Sequence, residues 1–399
     1  MQLKSVSTNN KTTIPFSIYI LAFGIFAIVT SEFQVAGMLP VMAQDLSVSI
    51  AQIGYLVSIY ALGMAVGGPL LAIFLLHKPP KTALLILFAI FIVGEALGAL
   101  APQYLTLIIA RLITGAASGA FFGIALAICI ELVAEIHRGW AIAIVLSGIM
   151  LGTIIGLPMA NLIGTHLGWR ESFWAVCVLS LFASGLCGWF IPNIEKQAVL
   201  SLSDELTSLK QSRIWWVFAT SLLIIGATFS AFTYFTPILK QLTGFSDNAV
   251  TLLLIMYGVA TLIGNTVVGK FAERYTIKII FIGLFSLSCF LLLFALFPSS
   301  KLITLLAIFG IGLVGVTMNP AMVTRVIRTA NGRPVINTLH SSVITLGIVT
   351  GSFFGGLGIS YDFGLTAPLW VGLIMAILGL TTLLIEYPQP KTKLASLKN

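Results

Sequence analysis

The stretch PFSIYILAFGIFAIVTSEFQVAGML, residues 15–39, carries a single charge, Glu32, in twenty-five positions. A helix of that length rises about 37 Å, more than the roughly 30 Å hydrocarbon core of a bilayer. The run is therefore read as a membrane-crossing helix. Lys4 and Lys11 ahead of it give a superficial likeness to a signal peptide. The run is too long for one, contains a carboxylate and lacks a clear small-residue cleavage site, so it is expected to be a retained first span. A carboxylate in hydrocarbon costs roughly 2.5–3.5 kcal/mol on insertion scales. Glu32 is thus expected to face a cavity or a partner and to bind a proton or a substrate. That points to transport.

Eleven further apolar runs follow, at 52–76, 82–101, 104–130, 139–164, 170–192, 214–239, 248–270, 277–297, 301–324, 335–358 and 365–386. Composition agrees, with 58% hydrophobic and 9% charged residues, where a soluble domain carries about 25% charged. The expected fold is all-α, with twelve transmembrane helices. No loop is long enough to fold a soluble domain.

With the N-terminus inside, seventeen of the 21 Lys and Arg fall on the cytoplasmic side. Only Arg170, Lys240 and Lys301 fall on the other, and Arg111 lies within a span. This asymmetry predicts that both termini are cytoplasmic, and it accounts for the net charge of +8 without a nucleic-acid partner. Cys129, Cys177, Cys187 and Cys289 all lie in spans without paired spacing and are read as packing residues. No metal, cofactor or enzymatic activity is expected. Gly264–Lys270 (GNTVVGK) matches most of a phosphate-binding loop, but Phe271 stands where the Mg²⁺-binding hydroxyl belongs, so an ATP site is rejected.

The polar stretch 193–213, with Glu195, Lys196, Asp204 and Glu205, divides the chain. Six spans lie on each side, and a weak repeat links them: Leu151-Gly152 with Gly156 echoes Leu346-Gly347 with Gly351, and Gly68–Ala72 echoes Gly269–Glu273. Two pseudo-symmetric six-helix bundles, 1–192 and 214–399, joined by a cytoplasmic linker are therefore expected. That is the alternating-access architecture of a secondary transporter.

Glu32, Glu95 and Arg111 fall at similar depth, about 10 Å below the outer boundary at 1.5 Å per residue. They are the candidate proton-coupling group. The alternatives are a purely neutralising role for Arg111 and a buried pair or lipid-interface position for Glu95. Candidate substrate contacts are Gln34, Tyr60, Phe121, Phe122, Asn161, Phe232, Tyr234, Tyr257 and Asn319, since rings give adaptable area and sparse amides orient a ligand. Packing or lipid contact is the alternative for each ring. Gly148, Gly152 and Gly156, like Gly347, Gly351 and Gly355, form small faces that let helices approach closely. Glu131, Glu135, His137 and Arg138 read as interfacial ion pairing, and His340 is ambiguous.

The residues resemble the major facilitator superfamily, specifically its twelve-span drug:proton antiporter branch. Thr30-Ser31-Glu32-Phe33 with Gly37–Pro40 is similar to that branch's first-span signature. Ala110-Arg111-Leu112 through Gly115, with Gly119–Gly123, resembles its fourth-span motif. Arg138-Gly139 with Ser147-Gly148, Gly152, Gly156, Pro158 and Gly164 resembles the fifth-span antiporter motif. Gly168-Trp169-Arg170 with Phe173-Trp174, and Asn319-Pro320-Ala321 with Thr324-Arg325-Val326, resemble the arabinose-efflux-like subgroup, which exports chloramphenicol, sugars and purine nucleosides.

The resemblance implies the major facilitator fold and a bend near Pro158 that works the outer gate through the Gly148–Gly156 face. It also implies an inner latch. Ala72 stands where the superfamily's loop Asp would be, so Glu273 and Arg274 of the second-half loop are expected to carry that latch. Glu95 and Ser118 depart from the subgroup pattern, where a neutral residue and often a His stand. The expected function is proton-coupled export of small amphipathic compounds across the bacterial cytoplasmic membrane. Chloramphenicol-like or mixed drugs lead, and sugars or nucleosides come next. A substrate-specific importer or a membrane sensor are the other classes. The expected partners are the substrate, protons and the lipid bilayer, with the chain acting as a monomer.

Overall fold

The computed structural model describes residues 14–134, 137–194, 212–330 and 334–386. Glu135 and most of the expected linker lie outside them. The elements in chain order are α1 (Phe16–Asp45), α2 (Ile50–Leu62), α3 (Gly68–Leu75), α4 (Pro80–Ala99), α5 (Tyr104–Leu132), α6 (Arg138–Leu151), α7 (Leu157–His166) and α8 (Trp169–Phe190). They continue with α9 (Ser212–Phe232), α10 (Phe235–Gln241), α11 (Asp247–Leu296), α12 (Lys301–Val314), α13 (Asn319–Ala330), α14 (Pro334–Ser360) and α15 (Ala367–Glu386). No strand occurs among the described residues.

Ten of these helical stretches are long and apolar enough to span a bilayer, with Ala367–Leu383 as a shorter eleventh. One of the ten, α11, is 50 residues long. At 1.5 Å per residue it measures about 75 Å, more than two bilayer cores. Its backbone leaves helical geometry at Tyr275 (φ −128°, ψ 29°). It therefore holds two spans, and the described residues provide twelve crossings. The expected loop between 270 and 277 is an elbow inside this helix. Residues 271–276 contain neither Gly nor Pro, so nothing in them stops a helix.

Four other spans depart from straight helices, each beside a proline. A π-helical turn, Gly63–Gly67, joins α2 to α3 just before Pro69. Another, Gly152–Gly156, joins α6 to α7 just before Pro158. Proline donates no backbone N–H and its ring crowds the carbonyl four residues back, so the preceding turn widens. The seventh span breaks at Thr233–Tyr234 between α9 and α10, four residues before Pro237. The tenth breaks at Gly315 (ψ −103°) and a 3₁₀ turn, Val316–Met318, ahead of Pro320.

Two compact units are present. The first comprises Met1–Leu46 and Leu62–Ala198, and the second Ser47–Ala61 and Val199–Asn399. In the first unit α1 is the most buried span and packs against α5 to α8, while α4 packs on α5 and α8. A Cβ at Gly148 would strike the Ala22 carbonyl, one at Gly152 would lie 2.6 Å from Val29 Cγ1, and one at Gly156 would strike Thr30 Oγ1. The glycine ladder is thus the seam along which the fifth span lies on the first. The second unit repeats the construction with α14 on α9. Gly347 would meet the Leu222 carbonyl at 2.7 Å, Gly351 abuts Gly226, and a Cβ at Gly355 would sit 3.0 Å from Ser230 Oγ.

Candidate functional site

In the first unit, Thr30 to Gln34 bring two polar side chains of α1 to one face, because Ser31 and Gln34 are three residues apart. Glu95 on α4 and Arg111 on α5 meet them there. Arg111 Nη1 donates to the Ser31 carbonyl at 2.9 Å and to Ser31 Oγ at 3.1 Å, while Nη2 donates to the Glu32 carbonyl at 3.2 Å. Ser31 Oγ in turn donates to Glu95 Oε1, and Gln34 Nε2 donates to Glu95 Oε2 at 3.0 Å. Ser172 Oγ on α8 closes the cluster with a 3.4 Å bond to Gln34 Oε1. Ser31, Gln34, Glu95 and Arg111 have no solvent exposure, whereas Glu32 is half-buried.

This arrangement gives the two carboxylates different surroundings. Both Glu95 oxygens accept bonds from neutral donors inside a closed shell, and a buried charge without such compensation would be costly. Glu32 shares the Arg111 guanidinium through its main chain, and as a residue it is half-buried where Glu95 is fully enclosed. Sequence reading finds Glu32, Glu95, Arg111 and Gln34, because charges and amides stand out in an apolar span. It misses Ser31 and Ser172 as members, since hydroxyls are common in membrane helices and bond locally to the backbone.

The other expected substrate contacts are placed as follows. Phe121 is buried, packed edge-on against Phe88 at 4.8 Å and beneath Gly24, while Phe122 is half-buried. Asn161 is buried with its Cβ against Gly37. In the second unit Tyr60 is buried, and Phe232 and Tyr257 stack 5.0 Å apart beside the seventh-span break, with Phe235 5.7 Å from Tyr257. Tyr234 donates its hydroxyl to the Ser352 carbonyl at 3.0 Å, and Thr233 shares a 2.8 Å bond with Ser352 Oγ. Asn319 is exposed at the start of α13. His340 Nε2 lies 2.8 Å from Ser221 Oγ, with its ring stacked on Phe218. Two apolar grooves, of 560 and 370 Å³, are lined by Val178–Phe190 residues and by Leu222, Phe354 and Met375 with their neighbours. No expected substrate contact lines either groove.

At the elbow, Glu273 and Arg274 are both exposed. Arg328 of α13 reaches the Glu273 main-chain carbonyl with Nη2 and Thr276 Oγ1 with Nη1 at 3.1 Å. The part of Glu273 that is engaged is its backbone. In the first unit, Asp45 gathers Trp169 Nε1 (2.9 Å) and Arg170 Nη1 (2.5 Å), and Arg170 Nη2 donates to the Ala101 carbonyl at 3.1 Å. The Gly168-Trp169-Arg170 motif therefore ties α8 to the ends of α1 and α4. Gly168 has φ +127°, which favours glycine. Among the described residues no group of His, Cys, Asp or Glu could hold a metal ion.

A sequence profile of the Major Facilitator Superfamily matches residues 21–336. The chain is 32% identical to the inner membrane transport protein YdhP of Escherichia coli K12, over 95% of this chain and 98% of that one. It is 30% identical to a chloramphenicol resistance protein of Streptomyces lividans, over 94% and 96%. The crystal structure of the nucleoside transporter NupG superposes with a TM-score of 0.73, covering 94% of this chain and all of that chain at 16% identity, a likeness of fold.

Proposed function

The chain belongs to the Major Facilitator Superfamily and is a multi-pass membrane transporter, and from that premise we propose that it is a proton-coupled exporter of small amphipathic compounds. The observation that carries this reading is the shared Arg111 node, around which one carboxylate residue is fully enclosed (Glu95) and another is only half-buried (Glu32). Glu32 is the proton-exchanging group. Arg111 holds the first-span main chain at Ser31 and Glu32, so a change of charge at Glu32 is felt by the most buried span of its unit. Glu95 fixes Ser31 and Gln34 and tunes the site.

Export is supported by the chloramphenicol resistance relative and by the fifth-span glycines and Pro158, where a π-helical turn stands. Such turns interrupt the hydrogen-bond ladder and give a helix a place to bend. The breaks of the seventh and tenth spans serve the second unit in the same way, since discontinuous helices commonly form transporter binding sites. Both termini lie on the cytoplasmic side in this reading. The test uses inside-out vesicles. With an acid interior they should accumulate labelled chloramphenicol, and collapsing the pH gradient should release it. Accumulation that follows ATP or sodium alone would overturn the reading.

A further inference from the structure

The elbow of α11 presents Lys270 and Arg274, four residues apart on one helical face just before the bend at Tyr275, and Lys278 just after it. Two rings lie among them. The Lys270 ammonium is 5.8 Å from the Phe271 ring, and Tyr275 has the Arg274 guanidinium at 5.2 Å and the Lys278 ammonium at 5.9 Å. All five side chains are exposed. None of the three cations pairs with a carboxylate among the described residues.

On either side of this cluster the same helix exposes apolar residues, Ile263 and Val267 before it and Phe281, Ile282 and Phe285 after it. These belong to the two apolar spans that meet at the bend. The cluster therefore sits where hydrocarbon gives way to headgroups, whichever side of the membrane that is. Arg328 braces the elbow through the Glu273 carbonyl and Thr276, so the bend that displays the cluster is held from within the unit.

We propose that the α11 elbow is a binding site for an anionic phospholipid, whose phosphodiester rests on Lys270, Arg274 and Lys278 and whose acyl chains run along the flanking apolar residues. Three cations without a carboxylate partner among the described residues, beside the single exposed carboxylate of Glu273, leave the elbow net positive. That charge favours a net-negative headgroup over a zwitterionic one, and the rings hold the cations at the interface. The apolar flanks distinguish a lipid from a soluble phosphate, which would gain nothing from them. The site is independent of the proton-coupling reading.

Purified full-length protein in detergent would be titrated with phosphatidylglycerol, phosphatidylethanolamine and glycerol phosphate, and bound lipid counted by native mass spectrometry. Phosphatidylglycerol should bind the unaltered chain. It should bind about 100-fold more weakly to the Lys270→Gln/Arg274→Gln/Lys278→Gln variant, at roughly fivefold per cation. A Lys78→Gln/Lys81→Gln control should bind as the unaltered chain does. Should the triple variant fail to fold, Lys278→Gln alone should still show the fivefold loss. The proposal is overturned by equal binding to the elbow variants, by an equal loss in the control, by equal binding of phosphatidylethanolamine, or by glycerol phosphate competing as well as the lipid.

Discussion

At the scale of single residues, the cluster around Arg111 shows what a charge inside a membrane requires. Glu95 is tolerated with no exposure because Ser31 and Gln34 each give one of its oxygens a donor, and Ser172 in turn donates to Gln34. In Glu95→Gln the new amide can still accept from Ser31, but its NH₂ would face the Gln34 NH₂. A buried donor left without an acceptor costs about 1–3 kcal/mol. Thermal unfolding in detergent should therefore show Glu95→Gln less stable by about that amount, and transport should fall less than in Glu32→Gln. An unchanged melting temperature would mean that Glu95 is not the enclosed acceptor described here. The charges of this cluster were legible in the sequence because they are rare in apolar spans. The hydroxyls were not, since Ser31 and Ser172 look like many other helix residues until α4 and α8 are packed against α1. Asp45 escaped notice for a related reason, because it lies past the apolar run and only the fold brings Trp169 and Arg170 to it.

At the scale of elements, the same small residues serve both units. Gly148, Gly152 and Gly156 lay the fifth span on the first, and Gly347, Gly351 and Gly355 lay the eleventh on the seventh. That seam could be read from four-residue spacing, although the helix it packs on could not. The breaks at Thr233–Tyr234 and Gly315–Met318 were not foreseen, because membrane helices accommodate prolines and Pro237 and Pro320 gave no sign of how far. The expected charged loop is reduced to a tight bend at Tyr275 between two helical spans. Its contact with α13 runs through Arg328 to the Glu273 carbonyl and Thr276. If this contact latches the elbow, Arg328→Gln should slow transport about tenfold or more with substrate affinity kept, since hydrogen bonds from a charged group contribute roughly 1.5–3 kcal/mol. Glu273→Gln should stay within about twofold, because its carbonyl is retained. Initial rates in proteoliposomes decide this, and a larger loss in Glu273→Gln would return the latch to the carboxylate.

At the scale of the whole molecule, twelve crossings and a repeated construction follow from hydrophobic runs and glycine spacing, and membership of the superfamily confirms the fold. What the architecture supplies is a pair of units whose most buried spans are gripped along glycine seams, one of them also held by Arg111 beside Glu32. The central claim is that Glu32 exchanges the proton that drives export. Purified protein reconstituted into proteoliposomes, unaltered and as Glu32→Gln, would be compared in two assays with labelled chloramphenicol: exchange at equal substrate concentration on both sides, and accumulation driven by an acid interior. Gln keeps the shape of a protonated Glu32 and cannot release a proton. The account predicts that Glu32→Gln retains exchange and loses accumulation, whereas accumulation equal to that of the unaltered chain would contradict it.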